Sequence, residues 1–175
     1  TFNWANGDAS ARTFNVGVID NLVTNADRTV SLQLSGLSGG AVFSAGLSNA
    51  VLTIVDNDSV FSFSTNAYSI SETGGVVTVT INRAGSLVDA ASVTFATTDW
   101  TAASPANYGG VTTNLVFAPG QASSNVVVTV VDDAVVNADR TVTLGLSGAV
   151  SVPAGSATLG LSSAVLTIVN EDIDV

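Results

Sequence analysis

Gly75-Val76-Val77-Thr78-Val79-Thr80-Ile81-Asn82-Arg83 decides how the rest of the chain is read. Val77, Val79 and Ile81 alternate with Thr78 and Thr80, so an apolar side chain recurs at every second residue. That period puts the three on one face of a pleated strand, and β-branched residues suit a half-buried sheet surface. The alternation recurs outward in both directions. Val93 and Phe95 alternate with Thr94 and Ala96, Leu144 and Leu146 with Thr143 and Gly145, and Phe14, Val16 and Val18 with Asn15 and Gly17. Gly74-Gly75, Arg83-Ala84-Gly85-Ser86 and Ala118-Pro119-Gly120 separate such runs as turns. No segment carries a helical stripe, and about seven short strands per unit point to an all-β sandwich. Val126-Val127-Val128-Thr129-Val130-Val131 breaks the alternation and is apolar on both faces. It reads either as a central strand with one face under a loop, or as a surface covered by another domain or subunit.

The chain repeats itself. Asn25-Ala26-Asp27-Arg28-Thr29-Val30 recurs as Asn137 to Val142, 112 residues later, and Ala50-Val51-Leu52-Thr53-Ile54-Val55 recurs as Ala164 to Val169, 114 residues later. Leu34-Ser35-Gly36 matches Leu146-Ser147-Gly148, and Ala5-Asn6-Gly7-Asp8-Ala9-Ser10 resembles Ala118 to Ser123. Repeats decide architecture before any local reading does. Residues 1–58 correspond to about 115–172, whereas residues 59–114 have no counterpart. The expected organisation is one and a half copies: the C-terminal half of a repeat over 1–58, then a complete repeat over 59–175.

Composition narrows the function. Hydrophobic residues make up 46% of the 175, enough for a core, while charged residues make up only 10%. Fourteen acidic residues face four Arg and no Lys, for a net charge of −10. Such a surface repels phosphate backbones and anionic membranes, so nucleic acid and membrane insertion are both set aside as partners. It attracts hard cations, calcium above all. His, Lys and Cys are absent, which removes the commonest general base, the Schiff-base amine and the thiol nucleophile. An enzyme is therefore the least favoured class. Met is absent even at position 1, which reads as a processed chain or a piece of a longer one.

A family resemblance follows from the order of the motifs. Phe61-Ser62-Phe63 leads to Tyr68-Ser69-Ile70-Ser71-Glu72 and the alternating run to Arg83. Thr97-Thr98-Asp99-Trp100, Asn107-Tyr108, Leu115 to Gly120, Val131-Asp132-Asp133 and Ala164 to Asp172 follow in sequence. This order resembles the Calx-beta domain over the whole second repeat, and residues 1–58 resemble the back half of another. The resemblance implies an immunoglobulin-like β-sandwich of seven strands. It implies an extracellular or cell-surface setting, and the Ser, Thr, Asn and Gly richness fits tandem arrays in large bacterial surface proteins.

It also implies a calcium site at one end of the sandwich. Carried over residue by residue, its ligands would be Glu72, Asp99, Asp132, Asp133, Glu171 and Asp172, with the carbonyl of Val135. Calcium takes six to eight oxygens, and clustered carboxylates repel unless a cation sits among them. Three positions depart from the family pattern. Asn137 and Arg140 stand where acidic residues are expected, and the closing triplet begins with Asn170. Asn170 can offer a carbonyl, but Arg140 cannot ligate calcium, and its guanidinium can stand in for the cation against Asp99 or Asp132. Bound calcium, an arginine-neutralised remnant and a solvated acidic loop all remain open readings.

Other features are weaker. Gly36-Leu37-Ser38-Gly39-Gly40 fits the hydrolase elbow in letters only, because no histidine exists to activate the serine. Trp100 stands in a loop and reads first as packing, second as a contact residue for a carbohydrate or protein ligand. The leading function is a structural or adhesive extracellular repeat whose partners are neighbouring repeats or further copies of the chain. Copies could complete the half-repeat by strand addition and so build a filament. The alternative is a calcium- or carbohydrate-binding module.

Overall fold

A computed structural model of the chain describes residues 1–44, 46–152 and 156–173. Among these residues eleven strands run β1 Arg28–Gln33, β2 Asn49–Ile54, β3 Ser59–Phe63, β4 Ala67–Ser71, β5 Val76–Gly85, β6 Ala90–Asp99, β7 Thr112–Phe117, β8 Ser123–Thr129, β9 Arg140–Val152, β10 Ala157–Leu159 and β11 Ser163–Val169. Strands β3 to β11 form a sandwich of two sheets, ordered β10-β3-β5-β8 and β4-β11-β9-β6-β7. Strands β1 and β2 form a separate two-stranded antiparallel sheet.

Alternation positions the core. Val79 and Ile81 of β5, Val93 and Phe95 of β6 and Leu144 and Leu146 of β9 all point into the space between the sheets and are buried. Phe61 packs edge-on against Phe117 with ring centroids 5.0 Å apart, and Phe63 against Phe95 at 6.2 Å. Each such buried side chain contributes about 1.5–3 kcal/mol relative to exposure.

Nine segments stand where the resemblance implies seven strands. The first strand breaks after Phe63, so that β3 joins one sheet and β4 the other. The short β10 then adds to β3 in parallel. Val126 to Val131 is no central strand. Strand β8 lies at a sheet edge beside β5, with Val126, Val128 and Val130 buried and Val127 and Val131 exposed. Its double apolar face is therefore half core and half surface.

The alternating run Phe14 to Val18 forms no strand, and all three apolar side chains are exposed. Alternation specifies which face a strand buries, but a strand also needs a neighbour to bond to. Gly85 marks where residues 1–58 approach the sandwich. Its φ is +83°, and a Cβ there would collide with the Thr24 side chain and the Asp58 carbonyl.

Candidate metal site

Strand pairing builds the site. Strands β4 and β11 run parallel with Ser71 opposite Val169, so the next residues, Glu72 and Asn170, emerge side by side at one end of the sandwich. Glu72 opens a single 3-10 turn, Glu72–Gly74, and Gly75 reverses the chain into β5 with φ +74°. The loop between β8 and β9 crosses over this end and brings Asp133 and the carbonyl of Val135 to it.

Carboxylate oxygens of Glu72, Asp133 and Asp172 lie within 4.8 Å of one another. Glu72 is only 5% exposed. Burial first, then the charges of Asp133, Asp172, Glu171 and Asp132, push its carboxyl above its ordinary value. The Oδ2 of Asp172 is sealed from solvent and has no hydrogen-bond donor. One end of the Asn170 amide faces Glu72 Oε1 at 2.8 Å and the Val135 carbonyl at 3.0 Å. With nitrogen there, the amide donates to both, and its oxygen accepts from Asp172 N at 3.2 Å. With oxygen there, three oxygens would converge, which only a cation reconciles. Three carboxylates, an amide and a carbonyl around a donor-poor centre fit a hard cation.

The other residues carried over from the resemblance hold different places. Glu171 is exposed and turns to the 3-10 turn, where its Oε1 accepts from Thr73 N at 3.0 Å. Hydrogen bonds from the hydroxyl of Ser71 and then of Thr73 hold its carboxyl below the usual range. Asp132 is exposed and acts on Glu72 through its charge. Asp99, at the end of β6, is engaged elsewhere. Its Oδ1 accepts from Tyr108 Oη at 2.5 Å and from Ser104 N at 3.1 Å, which ties down the loop after β6. Burial and that bond raise the Tyr108 phenol to about 12.

Arg140 reaches the rim of the cluster. Its Nη1 lies 4.0 Å from Asp133 Oδ2, its one ion pair among the described residues. Among the described residues it pairs with neither Asp99 nor Asp132, the partners expected from the sequence, and it neutralises neither Glu72 nor Asp172 as a direct partner. Asn137 instead donates to the Val135 carbonyl at 2.6 Å and shapes the loop. Trp100 is 66% exposed, so it presents its ring to solvent and not to the core.

The Calx-beta domain model matches residues 55–172. Among curated proteins, the chain is 33% identical over 122 residues to extracellular matrix protein 3 of Lytechinus variegatus, covering 66% of this chain. It is 30% identical over 127 residues to adhesion G-protein coupled receptor V1 of Danio rerio, covering 71% of this chain. The matched stretches are only 4% and 2% of those two proteins. Among solved structures, the calcium binding domain CBD12 of CALX1.1 superposes with a TM-score of 0.56 at 26% identity, over 64% of this chain and 46% of that one.

Proposed function

The chain belongs to the Calx-beta domain family, and on that premise we propose that it is an extracellular adhesive and structural module whose acidic end binds calcium. One observation carries the reading. Glu72, Asp133 and Asp172 crowd within 4.8 Å, and the buried Oδ2 of Asp172 is left without a donor. Such crowding is unfavourable in a protein that never meets a cation. When bound, calcium would be held by the carboxylates of Glu72, Asp133 and Asp172, the Asn170 amide oxygen and the Val135 carbonyl. It would stiffen the end of the sandwich by joining the β8–β9 loop to the end of β11.

The extracellular setting rests on the matrix and receptor proteins that the sequence resembles. No helix among the described residues is long and apolar enough to cross a membrane. The role is binding and mechanical, not catalytic, and its partners are neighbouring repeats. The exposed Trp100 favours a second contact surface for a sugar or protein ligand on the same module.

Titration calorimetry of calcium chloride into chelator-stripped chain tests the reading. Binding with Kd on the order of 10⁻⁵ to 10⁻³ M, weakened in Glu72→Gln, is the expected result. Heats indistinguishable from dilution would end it.

A further inference from the structure

Residues 1–58 repeat the geometry of the sandwich's back half but not its burial. Strands β1 and β2 pair Val30 with Leu52 and Leu32 with Ala50, while β9 and β11 pair Val142 with Leu166 and Leu144 with Ala164. These are the same registers at the repeat spacing. Asp56 N donates to Asp27 Oδ1 at 3.0 Å, and Asn170 N donates to Asp139 Oδ1 at 3.2 Å. Val23 N donates to Asn21 Oδ1 at 2.8 Å, and Val135 N to Asp133 Oδ1 at 3.0 Å. Asn25 Nδ2 donates to the Val23 carbonyl, as Asn137 Nδ2 does to that of Val135.

Burial diverges at the same positions. Val126, Val128 and Val130 are buried, while their counterparts Phe14, Val16 and Val18 keep 57%, 41% and 56% of their surface exposed. Phe117 is buried and its counterpart Trp4 is half exposed. Val142, Leu144 and Leu166 are buried, whereas Val30 is exposed and Leu32 and Leu52 are half-buried.

The complete repeat shows what covers such positions. There β11 is flanked by β4 and β9 by β6, and β3 and β5 lie in the opposite sheet. All four covering strands come from residues 59–99. We propose that residues 1–58 are a docking surface for the front-half strands of another Calx-beta repeat, a segment with the apolar alternation of residues 59–99. One such strand would add in parallel to the free edge of β2, and another antiparallel to the free edge of β1. This chain's own front half is already committed to residues 115–169. A second whole copy is a poor occupant as well, because each carries −10 net charge and Asp20, Asp56 and Asp58 line a cleft beside this face.

The test grafts a second copy of residues 59–113 directly ahead of Thr1 of the full chain. Hydrogen exchange is read at Val30, Leu32, Leu52 and Ile54, with Val142 and Leu144 as internal controls that the resident sandwich is folded. The graft should slow exchange in β1 and β2 about a hundredfold, reduce binding of an apolar-surface dye, and leave the chain monomeric by light scattering. The same segment supplied as a separate peptide should also protect β1 and β2, and a graft of shuffled sequence should not. Unchanged exchange with both graft and peptide overturns the proposal. So does an unmodified chain that is already a dimer at low micromolar concentration with β1 and β2 protected, which would assign the face to a second copy.

Discussion

Glu72→Gln should stabilise the calcium-free chain and weaken the calcium-loaded one, and the magnitude follows from the cluster. Glu72 lies within 4.8 Å of the Asp133 and Asp172 carboxylates. Like charges about 5 Å apart repel by roughly 1 kcal/mol in water and roughly 3 kcal/mol at an effective dielectric near 20. Asp133 and Asp172 are only half-buried, so the lower figure applies. The carboxyl of Glu72 is raised above its ordinary 4.5, so the folded chain holds that proton more tightly than the unfolded chain does. Its contribution is therefore full below about pH 4.5 and is lost as pH rises through the raised value. At pH 7 in chelator the wild-type chain bears the repulsion, and Gln removes it. The substitution should raise Tm by about 4 °C for about 1 kcal/mol. Calcium at a hundred times Kd adds about 2.7 kcal/mol to the wild type, about 10 °C, and should add less than half of that to the variant. Scanning calorimetry in chelator and in calcium reads both. A variant that melts lower in chelator and gains the full increment from calcium would refute the reasoning.

Arg140→Gln removes a positive charge 4.0 Å from Asp133, so calcium should bind about fivefold tighter while the chelated protein melts lower, as titration calorimetry and melting would show. Asn170→Asp turns the amide that faces Glu72 into a further carboxylate. Its calcium-induced Tm shift should exceed that of the wild type, with a lower Tm in chelator. Leu144→Ala opens the sandwich core and should cost about 2–5 kcal/mol in denaturant melts, whereas Leu32→Ala, the same position in the half-repeat, should cost under about 1 kcal/mol. Tyr108, raised to about 12, should make stability fall between pH 10 and pH 12, because the folded chain keeps its phenol proton longer than the unfolded chain. Tyr108→Phe should flatten that fall in alkaline denaturation curves.

Alternation made most of the sandwich legible. Val77 to Ile81, Val93 to Phe95 and Leu144 to Leu146 each show strict period two because one face of each strand is core. The same rule placed a strand at Phe14 to Val18, where the structure has none. Periodicity reports a strand's capacity to bury a face, while the hydrogen-bonding neighbour lies elsewhere in the chain. The division of the first strand into β3 and β4 and the three-residue β10 left no pattern long enough to read. At the site, family resemblance pointed to Glu72, Asp133, Asp172 and the Val135 carbonyl, which the fold brings together. Asp99 resembled a ligand equally well in sequence, yet it is held by Tyr108 and Ser104. A tyrosine nine residues on carries no local signal of that bond. Arg140 stood out as a cation in an acidic position. Only the structure shows it reaching Asp133 and stopping there.

Anomalous scattering from crystals grown in calcium addresses the site most directly. The account predicts a peak 2.3–2.6 Å from carboxylate oxygens of Glu72, Asp133 and Asp172 and from the Val135 carbonyl, with the Asn170 amide turned to present its oxygen. A centre without a peak, with the Arg140 guanidinium lying between Glu72 and Asp172, would contradict it.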